Sequence, residues 1–327
     1  MYIITIYTNN KFVRMSNNIG IIFHWGLYSV TGFDDIKSVR RRKMKNGSEW
    51  YYKRLYENSD YRPISGHNET KKYHAEQFNN RDYYDLSKEF NDNTTDFDFD
   101  NIFTKLINNN ISYVILTAKH HDGFCIWNTN TTKNKSNKDL VDNFFKAAEK
   151  YSIKVGLFYS WCEFGKSMTI EFINKVVIPQ INELKKYKPF YWWFDGHWEI
   201  KTKYAHNAVK NIVDDLRKDA LVNSRIVNSI CDKYIFGDRE YPENTPSFKW
   251  EYIFTIGHSW GYNKEQEKCD YKDGREIKRL YDIVREKNGD FLINFGPKMN
   301  GELDENELKS YNDFIDIISE YDECKSN

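Results

Sequence analysis

The chain has 327 residues, of which 40% are hydrophobic, so it can bury a large core in one barrel or in two smaller domains. Lys plus Arg and Asp plus Glu number 48 each, so net charge gives no argument for a nucleic-acid partner or an anionic membrane. The five cysteines are widely spaced and form no CxxC pair, which argues against a disulfide framework or a zinc site and favours a reducing compartment.

Residues 1–18 are predicted to form a short extension or an extra edge strand, and residues 19–327 a single barrel domain. The N-terminal apolar run is short, has no basic residues before it and has no small-residue cleavage site, so it does not resemble a signal peptide. No stretch approaches the roughly 18 apolar residues of a membrane helix. We therefore expect a cytoplasmic location and no contact with a membrane.

The first predicted strand lies in residues 20–30, GIIFHWGLYSV, and ends at His24 and Trp25 before a glycine turn. A histidine in isolation is more often structural than functional. The basic run at 40–45 is interpreted as a solvated loop or helix face, because no glycine or aromatic pattern accompanies it. After it, Glu49 precedes Trp50, a pattern that either binds sugar hydroxyls beside an aromatic wall or begins an amphipathic helix.

Residues 56–93 are polar and broken by proline and glycine, which predicts a long loop with short helices, and a helix is expected to begin near Asp98. The next strand, at 113–116, is followed by His120 and His121. At the end of a strand both imidazoles can reach one cavity. They can serve there as neutral partners of sugar hydroxyls, whereas a metal site lacks a third ligand at a recognised spacing.

The sequence then repeats a strand and helix unit, which predicts a parallel sheet. Seven or eight such units favour closure into a (β/α)8 barrel. The predicted helices are 139–151, 169–187 and 205–216, and the predicted strands are 154–160, which contains Tyr159, 190–195, and 220–227, which contains Arg225.

The stretch 190–198, FYWWFDGHW, places a carboxylate where a buried strand ends. Its aromatic residues have high strand propensity, and Gly196 ends the run. In a parallel barrel the loops that carry chemistry converge on the carboxyl ends of the strands. Asp195 is therefore the first candidate for a catalytic group.

Beyond residue 236 the pattern is less regular. The segment FGDREYPENTP contains two prolines and is predicted to be a loop that carries Asp238, Glu240 and Glu243. A strand follows it before Trp260. The last predicted elements are a helix at 275–287, a strand at 291–295 and a helix at 305–321.

Paired carboxylates, imidazoles and aromatic residues form a combination typical of glycoside hydrolysis. One carboxylate attacks the anomeric carbon while the other acts first as an acid and then as a base, so the pKa values of the two must differ. Aromatic residues make up 17% of the chain and suit the apolar faces of sugars, although a large aromatic core would explain them equally.

Seven segments together resemble, in order and approximate spacing, the α-L-fucosidases of glycoside hydrolase family 29. They are HWGLYSV, SEWY, LTAKHHDGFCIW, VGLFYS, WWFDG, SWGYN and LINFGPKMNGEL. The resemblance implies a (β/α)8-like catalytic barrel that hydrolyses terminal α-L-fucose with retention and uses no metal or organic cofactor. The C-terminal β-sandwich domain common in the family is not expected in this chain.

By position, Asp195 matches the family's nucleophile. The acid/base lies in a variable loop, where the resemblance implies Glu243, with Glu240 in reserve. The same loop resembles the members that prefer α-1,3/1,4-linked fucose. The residues expected to hold fucose are His24, Glu49, Trp50, His120, His121, Tyr159 and Arg225, together with Trp260 of the SWGYN segment.

Two alternatives remain open at this point. The chain could be a non-catalytic protein that binds fucose or a fucosylated glycan on the same fold. It could also be a retaining glycosidase acting on a related sugar such as a galactoside.

Overall fold

A computed structural model describes residues 18–42, 46–56, 64–226 and 231–326, with side chains described as far as residue 320. Four predictions therefore fall wholly or partly outside the described residues: the extension at 1–18, the basic run at 40–45, the start of the loop at 56–93 and the end of the strand at 220–227. The boundary at 19–327 and the cytoplasmic location stay predictions. In the part of the chain that the structure describes, no helix is long and apolar enough to cross a membrane.

Seven strands form one sheet in which every pair of neighbours is parallel. The strand order is β5-β4-β3-β2-β1-β7-β6, and the sheet curls into the (β/α)8-like barrel that the sequence predicts. The strands are β1 (Ile19–Phe23), β2 (Ile111–Lys119), β3 (Lys154–Ser160), β4 (Tyr191–Asp195), β5 (Leu221–Val222), β6 (Glu251–Thr255) and β7 (Asp290–Phe295).

Helices connect the strands on the outside of the barrel, and several begin at a side chain that caps the first turn. Asp139 accepts from the backbone N–H of Asp142, and Thr202 accepts from that of Ala205. The helices are α1 (Tyr28–Thr31), α2 (Ile36–Arg41), α3 (Tyr51–Tyr56), α4 (His67–Phe78), α5 (Ser87–Asn93), α6 (Asp100–Leu106), α7 (Leu140–Lys150), α8 (Ile170–Phe172), α9 (Ile178–Lys185), α10 (Lys203–Leu216), α11 (Gly274–Glu286) and α12 (Glu305–Ser326), with a π-helical turn at Ile173–Val177 between α8 and α9.

The short helices predicted within the loop at 56–93 are α4 and α5. One predicted segment differs from the structure. The strand predicted at 220–227 shrinks to the two residues of β5.

A short extended segment links the two edge strands, β5 and β6. Lys233 bridges to Asn223 beside β5, and Tyr234 bridges to Trp250 beside β6, both in parallel. The backbone N–H of Tyr234 donates to the carbonyl of Lys249 at 3.0 Å. This segment thus occupies the position of an eighth strand, and the loop that follows it lies at the mouth of the barrel.

The apolar core has two parts because successive side chains of each strand point to opposite faces of the sheet. In β1, Ile21 and Phe23 pack outward against the helices, whereas Ile22 points into the barrel. The interior cluster consists of Ile22, Tyr113, Ile115, Phe158, Tyr191, Trp193, Ile235, Ile253, Trp260 and Leu292.

A buried polar cluster crosses the barrel beneath these residues. The carboxylate of Glu251 accepts from the hydroxyl of Tyr113 at 2.6 Å and from the indole N–H of Trp193 at 2.8 Å. The ammonium of Lys233 lies 3.3 Å from Glu251 and 2.7 Å from Asp290. The cluster therefore ties the closing segment to strands β2, β4, β6 and β7.

Candidate active site

The carboxyl ends of the strands surround a cavity of about 780 Å³. β4 ends at Asp195, whose side chain lines this cavity. Seven of the predicted site residues line the cavity, and so does the reserve carboxylate Glu240. The seven are His24, Trp50, His120, His121, Asp195, Arg225 and Trp260.

Asp195 lies between two basic side chains. Its Oδ1 accepts from Nη1 of Arg225 at 3.1 Å, and its Oδ2 is 3.5 Å from Nε2 of His121. Burial alone would raise the pKa of Asp195, but Arg225 and His121 outweigh it and hold that pKa well below its usual range. Asp195 is therefore an ionised carboxylate at neutral pH.

The hydrogen bonds around His121 define its protonation state. The Ser160 hydroxyl donates its one proton to the carbonyl of Cys162 at 2.7 Å, so it can only accept from Nδ1 of His121, 2.6 Å away. Burial disfavours the charged imidazole, but the Cys162 sulfur and the Asp195 carboxylate outweigh it and raise the pKa of His121 to about 10. The ring is thus an imidazolium that faces Asp195.

His24 is neutral, and its tautomer follows from Asn294. The Asn294 amide donates to the carbonyl of Trp260 at 2.8 Å, so its oxygen faces Nδ1 of His24 at 2.5 Å and accepts the proton there. Burial lowers the pKa of His24 to about 4. Its Nε2 is left as an acceptor for a hydroxyl donor.

His120 adds a second neutral imidazole to the cavity wall. Burial, with charge repulsion from the His121 imidazolium, holds the pKa of His120 well below the usual range. Its Nδ1 is buried and has no hydrogen-bond partner among the described residues. Because a buried polar atom is normally paired, this nitrogen is suited to a polar group of a bound molecule.

Glu49, predicted to bind the sugar, lies behind the wall rather than in it. Its carboxylate is buried and accepts from the backbone N–H groups of Gly47 at 2.6 Å and Gly261 at 3.2 Å. These bonds hold the segment that carries Trp50 against the segment that carries Trp260. In this structure Glu49 positions the two indoles of the wall.

Tyr159, also predicted to bind the sugar, points away from the cavity. Its hydroxyl donates to Gln180 at 2.7 Å and lies 3.2 Å from the ammonium of Lys119, within the outer core. The preceding residue, Phe158, lines the cavity instead. Alternation along β3 explains the difference, since adjacent side chains of a strand cannot share a face.

The predicted acid/base Glu243 lies outside the cavity wall. Its side chain is exposed, and its backbone carbonyl accepts from Lys287. Asp238 and Glu240, earlier in the same loop, both line the cavity. The reserve candidate, not the first choice, is therefore the loop glutamate that lines the cavity.

Sequence reasoning missed several residues of the wall. Phe158 and Trp193 stack inside the barrel with ring centroids 5.4 Å apart, and the guanidinium of Arg225 lies over the Trp193 ring. His197 and Trp198, directly after the turn at Gly196, also line the cavity. The signal for Trp193 was present in FYWWFDGHW, where every second residue before the turn points into the barrel.

A possible metal site lies elsewhere. Among the described residues, one group of three potential ligands is close enough to hold an ion: Glu267, Cys269 and Asp270. The guanidinium of Arg40 already pairs with both carboxylates at 2.7 Å. None of these residues lines the cavity.

A parallel barrel with an ionised carboxylate at a strand end, flanked by imidazoles and indoles, is typical of the class of barrel-fold glycoside hydrolases. Within that class the chain belongs to the α-L-fucosidase family, whose model matches residues 8–323.

Curated relatives support the assignment at moderate identity. The chain is 27% identical over 326 residues to an α-L-fucosidase of Dictyostelium discoideum, covering 88% of this chain and 65% of the relative. It is 29% identical over 219 residues to human tissue α-L-fucosidase, covering 58% of this chain and 46% of the relative. The chain thus spans less than two thirds of the length of these proteins.

Solved structures show the same fold. The Thermotoga maritima α-fucosidase in complex with fucose matches with a TM-score of 0.77 and 24% identity, covering 94% of this chain and 74% of that one. The Lactobacillus casei α-L-fucosidase AlfC in complex with α-L-fucose matches with a TM-score of 0.72 and 21% identity, covering 94% and 98%. At these identities the likeness establishes the barrel architecture.

Proposed function

We propose that this protein is a retaining, exo-acting α-L-fucosidase that releases terminal α-L-fucose from glycans. The observation that carries the proposal is the ionised Asp195, held between Arg225 and His121 in the wall of a cavity that also presents neutral imidazoles. Membership of the family supports the choice of sugar, as do the fucose complexes of the Thermotoga maritima and Lactobacillus casei proteins.

In the first step Asp195 acts as the nucleophile. A carboxylate oxygen forms a bond to the anomeric carbon of fucose while the bond from that carbon to the leaving oxygen breaks. The leaving oxygen takes a proton from the general acid. Arg225 and His121 keep Asp195 ionised before attack and orient its two oxygens.

The second step returns the enzyme to its starting state. The deprotonated acid group now takes a proton from water, and the water oxygen attacks the anomeric carbon from the face that the leaving group vacated. The ester bond to Asp195 breaks and fucose leaves with its original α configuration. No redox partner or additional reagent takes part in either step.

We assign the acid/base role to Glu240. A retaining pair of carboxyl groups lies about 5 to 5.5 Å apart, so the second carboxyl group must reach the cavity. Glu240 lines the cavity and forms no ion pair with any described residue. Asp238 also lines it but is bound by Arg225, and protonation of Asp238 would break that ion pair.

Azide distinguishes the two roles, because a small anion can attack in place of the missing group. Asp195→Ala with azide should give the inverted β-fucosyl azide. Glu240→Ala should keep its activity on an aryl fucoside with a good leaving group, lose it on a glycan, and give the retained α-fucosyl azide.

Glu243→Ala is the matched control for Glu240→Ala and should behave as wild type, because Glu243 is exposed outside the cavity. If Glu243→Ala, rather than Glu240→Ala, produces the α-fucosyl azide, the acid/base assignment returns to Glu243. The same product from Asp238→Ala would assign the role to Asp238.

The α-1,3/1,4 linkage preference stays a prediction that depends on the likeness of the loop at 236–246. AlfC from Lactobacillus casei is known in complex with Fucα(1,6)GlcNAc, so that linkage is the natural comparison. Fucose release from an α-1,3/1,4-fucosylated trisaccharide and from Fucα(1,6)GlcNAc, measured side by side, decides between them.

The experiment that tests the proposal is hydrolysis of an aryl α-L-fucoside followed by NMR. We expect α-L-fucose as the first product from wild type and a loss of turnover in Asp195→Ala. β-L-Fucose as the first product would contradict retention. Fucose binding without turnover of any fucoside would favour the non-catalytic binding protein instead.

A further inference from the structure

His197 and Trp198 extend the cavity beyond the residues assigned to fucose. Trp198 is 40% exposed, whereas His24, His120 and His121 are all less than 5% exposed. Among the large apolar side chains that the structure describes as exposed, Trp198 is the one that also lines the cavity. The floor of the cavity is therefore formed by buried polar side chains, and its mouth carries an exposed aromatic side chain.

The position of these residues is set by the end of β4. Gly196 has φ of 78°, and a Cβ there would lie 2.8 Å from the Cys162 sulfur, so the turn requires glycine. The turn leads directly from Asp195 into a short helical segment, His197–Glu199. His197 and Trp198 are thus fixed two and three residues from the proposed nucleophile.

Trp198 has a defined orientation even though it is exposed. Its ring packs edge to face with His121 at a centroid distance of 5.3 Å and with His197 at 5.7 Å. An indole held on one side by two imidazoles and open on the other is suited to stacking against an apolar face of a ligand.

His197 supplies a polar group beside this surface. Its Nδ1 is buried and has no hydrogen-bond partner in the described part of the chain, although the residue lines the cavity. Burial lowers the pKa of His197, so at neutral pH the ring keeps one nitrogen that can accept. An unpaired ring nitrogen in a residue that lines the cavity is suited to a hydroxyl donor of the occupant.

We propose that His197 and Trp198 form the binding site for the leaving group, and that this group is a pyranose sugar. Trp198 stacks against the C–H face of that sugar, and Nδ1 of His197 accepts from one of its hydroxyls. The inference depends on the proposed function, because it takes the buried floor as the fucose site and the mouth as the site of the departing sugar.

The test compares two substrates that share fucose but differ in the leaving group. α-L-Fucosyl fluoride has no leaving sugar. The disaccharide is whichever of the α-1,3-, α-1,4- and α-1,6-linked fucosyl N-acetylglucosamines wild type hydrolyses fastest. The quantity measured is the ratio of kcat/KM for the disaccharide to kcat/KM for the fluoride.

Trp198→Ala should lower this ratio roughly tenfold, because the stacking partner is lost, and Trp198→Phe should recover part of the loss. His197→Ala should also lower the ratio, and His197→Asn, which keeps an acceptor, should restore it in part. Tyr241→Ala is the matched control: Tyr241 is also 40% exposed, lies outside the cavity wall, and should leave the ratio unchanged.

An unchanged ratio in Trp198→Ala, or an equal fall in Tyr241→Ala, would overturn the inference while leaving the proposed function intact. Turnover of the fluoride with no hydrolysis of any disaccharide would overturn it as well. Failure of wild type on the fluoride and on aryl fucosides would instead contradict the proposed function.

Discussion

At the scale of single residues, the site is defined by how charge is distributed around Asp195. Arg225 and His121 each face one oxygen of that carboxylate, whereas His24 and His120 stay neutral. Charged partners therefore surround the group that must be ionised, and neutral partners remain where an uncharged sugar would bind. The surroundings of each histidine thus decide whether its imidazole is charged or neutral.

Removing Arg225 should change the pH dependence of the reaction. In wild type, Arg225 and His121 keep the pKa of Asp195 well below its usual range, whereas burial puts the pKa of His24 at about 4, so acidification charges His24 before it protonates Asp195. Arg225→Met should raise the pKa of Asp195, so that protonation of Asp195 moves the acid limb of kcat/KM to higher pH.

The measurement is the pH profile of kcat/KM on an aryl α-L-fucoside. Arg217→Met is the control, since Arg217 pairs with Asp232 outside the cavity and should leave the profile unchanged. An acid limb at the same pH in Arg225→Met and wild type would contradict the proposed role of Arg225.

The sequence predicted which residue types form the site better than it predicted which of them face the cavity. Asp195 and the two adjacent histidines could be placed because they follow strands that have strong aromatic and β-branched patterns. The orientation of Tyr159 could not be predicted, because a shift of one residue along β3 exchanges it with Phe158 on the cavity side. The orientation of Glu243 could not be predicted either, because a proline-rich loop has no regular period from which the direction of a side chain follows.

At the scale of elements, the barrel depends on one short segment for closure. Among the described residues, Lys233 and Tyr234 form the bridges to the edge strands, and the apolar run that begins at Tyr234 is only three residues long. The sequence therefore predicted a closed barrel from the count of units but missed how it closes.

The buried ion cluster beneath the cavity should contribute to this closure. Lys233→Met leaves Glu251 and Asp290 without their cation inside the barrel, and removal of one partner of a buried pair costs about 3 to 5 kcal/mol. The double variant Lys233→Met/Glu251→Gln should recover part of that loss. Urea denaturation, read as the free energy of unfolding, measures both.

Lys185→Met is the control for this pair of variants, because Lys185 pairs with Asp215 on the surface and its loss should have little effect. A free energy of unfolding for Lys233→Met equal to that of wild type would show that the cluster does not hold the closing segment.

At the scale of the whole molecule, an early and a late segment of the described chain meet in the sheet. Asn18 donates to the carboxylate of Asp290 through both its backbone and its side-chain N–H groups, each at 3.0 Å. β1 lies between β2 and β7, so early and late segments share one core. The cavity is built from both, and a ligand that fills it should stabilise the fold as a unit.

L-Fucose should raise the midpoint of thermal unfolding without splitting the transition. At a concentration 100 times its Kd, a ligand that binds only the folded state adds about 2.7 kcal/mol, which corresponds to several degrees in a chain of this size. D-Galactose at the same concentration is the control and should have a much smaller effect. Equal stabilisation by both sugars would favour the galactosidase alternative.

The most direct test of the account is to trap the covalent intermediate. A 2-deoxy-2-fluoro-α-L-fucosyl fluoride slows both chemical steps, and its good leaving group favours accumulation of the fucosyl enzyme. After proteolysis, mass spectrometry should find the fluorofucosyl group on the peptide that contains Asp195. An adduct on any other carboxylate would contradict the assignment of Asp195 as nucleophile, and turnover that proceeds with inversion would contradict the retaining mechanism itself.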